Sequence, residues 1–273
     1  MRPPELKEIQ EKILNILYQS DVRLTAQEYL KKINTQYPLP FSEAKKILQG
    51  LVDAEELSYH YLYGSTYVEK SFLKPVRISP HFILKPPWST ASPAGNHIEI
   101  IIEPGISFGS GQHPTTRLCL NAIDFCFFEN QRTSLQPGDI GADIGTGSGV
   151  LAMAMCLAGL SSCTAYEIDP VSIREARRNI ELNRLSGKIH LLEDTMKTGE
   201  NSFSMACANL RYPTLVSLSE TLSSSLKENG VAVLSGFREW EKDLVLNSYA
   251  EKGFALIWQR DDKNWSCFVL VKK

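Results

Sequence analysis

The residues of this chain best suited to chemistry are two carboxylates on either side of a run of glycines. The run is Asp143-Ile144-Gly145-Thr146-Gly147-Ser148-Gly149, leading from a short strand into an apolar helix that reaches about Leu157. Glycine is needed in such a turn because the backbone must take positive φ and let a ligand approach closely. The helix behind it offers N–H donors at its start. A second carboxylate, Glu167, closes the next strand-like segment, which begins at Cys163. An acid at that strand end can accept both hydroxyls of a ribose. Asp169, just before Pro170, is explained as the cap of the following helix.

Two nucleotide ligands compete for such a turn. A dinucleotide loop reads GxGxxG, but here the third glycine, Gly149, comes one residue early. Asp143, two residues ahead of Gly145, would repel a pyrophosphate and suits a ligand carrying an amine and a sulfonium. S-Adenosyl-L-methionine is such a ligand. The ordered set Asp143, Gly145, Gly147 and Glu167 is therefore expected to hold it.

The elements that must position these groups can be read from hydrophobic spacing. From residue 98 to 273, strand and helix patterns alternate, as in an α/β domain with a mostly parallel, doubly wound sheet. Residues 73–97 hold Pro75, Pro80, Pro86, Pro87 and Pro93 and are expected to be a proline-rich linker. Residues 1–72 carry three helical patterns. Leu6, Ile9, Ile13 and Leu17 mark the first; Thr25 and Glu28 form a capping box for the second. Ser42 is placed to cap the third, whose apolar face is Ala44, Ile47, Leu48, Leu51 and Val52. A hairpin follows, with Gly64-Ser65 as its expected turn between Leu57–Tyr63 and Thr66–Phe72. Three helices and a hairpin resemble a winged helix.

Charge weighs against nucleic acid as that domain's partner. Residues 1–72 carry nine Lys and Arg against ten Asp and Glu, and the whole chain has a formal net charge of -2. Little counterion-release affinity is available from such a surface. The N-terminal domain is expected to dock a protein substrate or pack on the catalytic domain, with Lys45 and Lys46 as a solvated face. The six cysteines show no metal-binding spacing, so no metal is expected. Scattered thiols fit a reducing compartment. The charged N-terminus has no signal-peptide core, and the longest apolar run, Gly149 to Leu160, falls short of the ~20 residues that span a bilayer. The expected location is the cytoplasm, with no membrane partner.

One further segment carries a resemblance. Glu103-Pro-Gly-Ile-Ser-Phe108-Gly109-Ser-Gly111-Gln-His113-Pro114-Thr115-Thr116 is similar to the signature ahead of the cofactor strand in ribosomal protein L-eleven methyltransferases of the PrmA type. The resemblance takes in Ile83–Trp88, the glycine turn, Glu167–Pro170, Ala208-Asn209-Leu210, Leu234-Ser235-Gly236 and Trp265–Val271, or roughly residues 76–273. It implies a Rossmann-like, seven-stranded class I methyltransferase domain, mostly parallel, with the strand of the last hairpin antiparallel. It implies that Phe108, Gly109, Thr115 and Thr116 line the methionine end of the cofactor and that Gly145 touches its backbone. It implies that Glu167 holds the ribose, Asp194 lies on the adenine side, and Asn209 stands beside the transferring methyl. Phe108 also suits ordinary core, Asp194 a turn, and Thr115 and Thr116 a helix cap from Arg117 onward.

The chain departs from that pattern in three places. The N-terminal domain is helical, where the family has a small ferredoxin-like unit that grips the ribosomal protein. Glu167 stands where Asp is usual. Asn209-Leu210-Arg211-Tyr212 partly echoes the Asn-Pro-Pro-Tyr loop of amino-group methyltransferases, with Leu210 and Arg211 in place of the prolines. The expected reaction is methyl transfer to an amine, lysine or α-amino, of a protein substrate, a ribosomal protein among the candidates. The Asn209 carbonyl and a backbone carbonyl would orient the amine, and Tyr212 would supply a wall. His113 is a less favoured general base than loop organiser. Two rivals stand: a nucleic-acid or small-molecule methyltransferase docked through the winged helix, and a non-catalytic cofactor-binding regulator.

Overall fold

The computed structural model describes residues 3–18, 20, 22, 24–37, 39–62, 64–90, 95, 97–105, 107–111, 113–130, 135–136, 138–199 and 202–273. The chain forms two compact units, Met1–Lys74 and Pro75–Lys273.

In the first unit, α1 (Pro3–Tyr18) precedes the short strand β1 (Leu24–Thr25), α2 (Ala26–Gln36) and α3 (Phe41–Asp53). The capping box forms as the spacing predicts: Thr25 Oγ1 accepts the Glu28 N–H (3.2 Å) and Glu28 Oε2 accepts the Thr25 N–H (2.9 Å). Ser42 does not cap α3. That helix starts at Phe41, two residues earlier than a Ser42 cap would set, with Pro40 at its N-cap and no side-chain cap bond. Strands β2 (Leu57–Leu62) and β3 (Ser65–Lys70) pair antiparallel, and β1 adds to the outer side of β3. Leu62 faces Ser65. The hairpin turn is therefore 63–64, one residue earlier than expected; Tyr63 lies outside the described residues, and Gly64 supplies a φ of +79°. Ile13, Leu17, Tyr29, Ile33, Leu48, Leu51, Leu57 and Val68 fill the core, and the Tyr29 hydroxyl donates to the Ile13 carbonyl (2.7 Å). Ile9 packs against this core as its spacing predicts, while the side chain of Leu6 lies outside the described residues.

The second unit opens with β4 (Val76–Arg77), β5 (Phe82–Lys85) and β6 (Ile98–Ile101), a three-stranded sheet in that order. Most of the expected linker is thus structured. Pro75, Pro80, Pro86 and Pro87 bound the strands instead of interrupting them, which leaves Phe82, Ile83 and Leu84 buried between. Pro93 lies outside the described residues. The buried Asp124 carboxylate ties this sheet to α4 (Pro114–Asp124) by accepting from the Ser79 hydroxyl, the His81 N–H (2.8 Å) and His81 Nδ1 (2.8 Å).

The main sheet is built from β7 (Ile140–Ile144), β8 (Ser162–Tyr166), β9 (Ile189–Leu192), β10 (Phe203–Asn209), β11 (Leu226–Arg238), β12 (Phe254–Asp262) and β13 (Trp265–Lys272). Its order is β12-β13-β11-β10-β7-β8-β9. Strands β7 to β11 run parallel and β13 runs antiparallel to both β11 and β12. Helices α5 (Val150–Ala158), α6 (Pro170–Leu182), α7 (Tyr212–Ser225) and α8 (Lys242–Ala250) connect the strands. Strand β10 is buried from Phe203 to Ala208, the near-continuous apolar run of a strand covered on both faces. After β7 the chain winds outward through β8 and β9, then crosses back to β10 on the other side of β7. That reversal opens a crevice at the carboxyl ends of β7 and β10, where ligands bind in such sheets. Among the described residues no helix is long and apolar enough to cross a membrane, and all six cysteines are buried thiols.

Candidate active site

Three strand ends define the crevice. Asp143 of β7 is level with Cys207 of β10 and with Ala165 of β8; one step on, Ile144 is level with Ala208 and Tyr166. The next row is therefore Asn209, Gly145 and Glu167. The two carboxylates sit on neighbouring strands beside the same turn.

The glycine turn folds back over β8 because the N–H groups of Gly145 and Thr146 both donate to the Tyr166 carbonyl (2.9 and 3.0 Å). Gly145, Gly147 and Gly149 have φ of +70°, +56° and +85°, the region from which a Cβ is repelled. The Gly147 N–H donates to Glu167 Oε2 (2.9 Å), while Ile168 and Asp169 N–H groups donate to Oε1 (2.8 and 3.0 Å). Glu167 is thereby oriented towards the turn. Asp143 is only 1% exposed; its Oδ2 accepts from Thr146 Oγ1 (2.6 Å) and from the Ala152 N–H (3.0 Å), and its Oδ1 has no partner. Burial pushes its carboxyl up to about 6; the Thr146 and Ala152 bonds oppose the rise and the charge of Glu167 adds to it.

A second loop closes over the turn. The Phe108 carbonyl accepts the Ser148 N–H (2.8 Å), and a Cβ on Gly109 would run into Ser148 Oγ. Phe108 is 49% exposed, so it is no core residue. Thr115 and Thr116 lie fully buried in the first turn of α4. They do not cap a helix starting at Arg117. The helix begins at Pro114, which is suited to the first helical position, and His113 is its cap. His113 Nδ1 lies 2.8 Å from Thr115 Oγ1, and its ring packs between Phe108 (5.0 Å) and Trp265 (4.9 Å).

On the other side of the turn, Asn209 ends β10 with Oδ1 buried and without a partner. The next residue is pinned: Leu210 N–H donates to the Ser235 carbonyl (2.9 Å), and its side chain fills the space where a Gly145 Cβ would stand (2.6 Å). Gly236 has φ of +96°, and a Cβ there would overlap the Leu210 carbonyl. Tyr212 heads α7 and packs half-buried on the core cluster of the sheet. Asp194 follows β9 in an exposed turn, where Lys197 Nζ (2.7 Å) and the Thr195 N–H (2.7 Å) bind its carboxylate and hold it below the usual range. The sequence reading passed over Ser107, Thr146 and Ser148. The signal for Thr146 and Ser148 was their place inside the glycine turn.

Buried polar atoms are normally paired. Here Asp143 Oδ1, Ser148 Oγ, Thr116 Oγ1, Ser107 Oγ and Asn209 Oδ1 are not. They belong to the turn, the strand end beside it, α4 and the loop that closes over the turn. A polar ligand seated at the turn would meet such a set.

Comparison with known proteins agrees with this geometry. Residues 66–273 match the family profile described as ribosomal protein L11 methyltransferase (PrmA). The chain belongs to that family. The L11 methyltransferase of Geotalea daltonii is 30% identical over 223 residues, covering 80% of this chain and 68% of that protein. The one from Clostridium perfringens strain 13 is 26% identical over 225 residues, covering 82% and 68%. The crystal structure of ribosomal protein L11 methylase from Lactobacillus delbrueckii subsp. bulgaricus superposes with a TM-score of 0.65 at 27% identity, over 73% of this chain and 99% of that one. The chain is thus an S-adenosylmethionine-dependent methyltransferase of the Rossmann-like class I. The family match starts at residue 66, after the three N-terminal helices.

Proposed function

We propose that this L11 methyltransferase relative moves a methyl group from S-adenosylmethionine to a lysine or α-amino nitrogen of a protein, with ribosomal protein L11 the first candidate, in the cytoplasm. The observation that carries the reading is the buried, unpartnered carbonyl oxygen of Asn209 beside the glycine turn. A carbonyl acceptor there is what an incoming amine needs for orientation.

The residues present fit the cofactor. Gly145 and Gly147 let the turn pass close against Leu210 and the Phe108 carbonyl, which a Cβ at either position would strike, and Asp143 Oδ1, Ser148 Oγ and Thr116 Oγ1 lie buried beside it without a partner. In this reading Phe108, Gly109, Thr115 and Thr116 border the methionine end, Asp143 gives the negative field behind the turn, and Glu167 accepts the ribose hydroxyls. Asp194, one strand further out, lies on the adenine side. S-Adenosylmethionine, when bound, supplies an electrophilic methyl carbon on a sulfonium. The chain's own residues orient the acceptor: Asn209 Oδ1 accepts an N–H from the amine, and Tyr212 supports the loop from the core side. An ammonium has no lone pair, so the acceptor must enter neutral, and a partly apolar pocket favours that form. His113, already engaged as a helix cap, organises the loop.

Asp143 gives a pH signature. Its raised carboxyl keeps a proton that the unfolded chain has released, so its contribution to stability is complete below about pH 4. That contribution is lost as pH rises through about 6. A cationic ligand favours the ionised form. Cofactor affinity should therefore weaken about tenfold from pH 7.5 to pH 5 in calorimetry. Asp143→Asn should bind more weakly at pH 7.5 and show a flat profile. A wild-type affinity independent of pH over that range would exclude Asp143 from cofactor binding.

The N-terminal unit, with three helices and an antiparallel wing-like sheet, is proposed as the module that docks the protein substrate. Incubation of enzyme with methyl-labelled cofactor, purified ribosomal protein L11 and ribosomal RNA tests the acceptor. Label is expected on the protein. Label confined to RNA would overturn the protein reading.

A further inference from the structure

On the Asn209 side of the crevice two arginines converge on one aromatic ring. The guanidinium of Arg238 lies 3.7 Å from the centroid of Trp265, and that of Arg211 lies 5.8 Å from it. Arg238 is also 5.6 Å from the Trp240 ring. Arg211 follows Asn209 by two residues, and Arg238 follows Ser235, the β11 residue level with Asn209, by three. Trp265 pairs with Arg238 at the start of β13. The group therefore lies at the same end of the sheet as the acceptor oxygen.

Two like charges sharing one ring repel each other unless an anion stands between them. Among the described residues no carboxylate pairs with either. Among the nearby carboxylates, Asp262 holds Arg117 (2.8 Å), Asp261 holds Lys242 (2.6 Å) and Ser266, and Glu241 accepts the backbone N–H of Arg238 rather than its guanidinium (2.6 Å). A guanidinium resting against an aromatic ring still has N–H donors to offer a planar anion, as in bidentate carboxylate recognition. A nucleic-acid backbone would call for a longer basic track, and the chain has a net charge of -2.

We infer that Arg211 and Arg238, supported by Trp265, form an acceptor-side subsite that binds a substrate carboxylate close to the amine being methylated. The enzyme then selects amines that lie next to acidic residues. This inference rests on the protein-amine reading above and adds the substrate's local chemistry to it.

The test uses the full-length enzyme, labelled cofactor and three synthetic peptides that differ only in the residue flanking one lysine: Glu, Gln or Lys. The Glu peptide should have a kcat/KM about tenfold or more above the Gln peptide, expressed mainly in KM, as expected for a charge-assisted pair. Raising salt should shrink the ratio. The double variant R211Q/R238Q should bring the ratio to about one, R211K/R238K should retain part of it, and R211E/R238E should favour the Lys peptide. A ratio is compared within each variant, so partial loss of folding does not mimic the result. Equal labelling of all three peptides by the wild type would overturn the subsite and leave the protein-amine reading standing. Label on RNA with none on any peptide would overturn both.

Discussion

Asn209→Ala is expected to lower kcat by about 10²–10³-fold while cofactor affinity stays within about threefold. Oδ1 of Asn209 is buried and makes no bond within the described residues. Its removal therefore breaks no hydrogen bond among the described residues and leaves no new unsatisfied partner. The neighbouring backbone is fixed independently by the Leu210 N–H bond to Ser235 and by the close passage of Gly236 under the Leu210 carbonyl. The loss should fall on the step in which an amine must be aligned for in-line attack, since misplacement by about 1 Å alone costs about a hundredfold. Asn209→Asp separates shape from charge. It keeps the size but offers a carboxylate, which would hold the acceptor as ammonium, so activity should stay low near neutral pH. The measurements are single-turnover rates and calorimetric cofactor affinity. An alanine variant that turns over like the wild type would remove Asn209 from the reaction.

Much of this site was legible in sequence because its logic is local. The glycine turn must be glycine for reasons of φ, and its neighbours Asp143 and Glu167 stand at the ends of strands that show as short apolar runs. What could not be read depends on distant pairing. Strands β4 and β5 hid among prolines because a strand of two to four residues has no period to detect, and Ile98–Ile101 becomes their parallel neighbour only in three dimensions. The role of His113 as cap required knowing that α4 begins at Pro114. Arg211, Arg238 and Trp265 are far apart in sequence, and only the β10–β11–β13 pairing brings them together. Burial also escaped the sequence reading. The position of Asp143 ahead of the turn is legible, but the displacement of its titration comes from near-complete burial that no motif encodes.

Gly147→Ala should weaken cofactor binding by about 100-fold or more while lowering the melting temperature by only several degrees. The residue holds φ of +56°, and a Cβ built there stands 2.5 Å from the Phe108 carbonyl oxygen. That oxygen belongs to backbone and is already bonded to the Ser148 N–H at 2.8 Å, so it cannot swing aside as a side chain would. To accept the methyl group, the loop of Phe108 and Gly109 must lift off the turn. The Gly147 N–H must then tilt away from Glu167 Oε2. Both borders of the proposed cofactor seat move together, whereas the apolar packing of β7 and α5 behind them is untouched. Gly199→Ala is the matched control. Its φ is +75° and nothing lies within 4 Å of the added carbon, so it carries the backbone strain without the collision. It should lose a comparable amount of stability and bind the cofactor like the wild type. If Gly147→Ala also binds normally, the close passage of the Phe108 loop over this turn does not shape the cofactor seat.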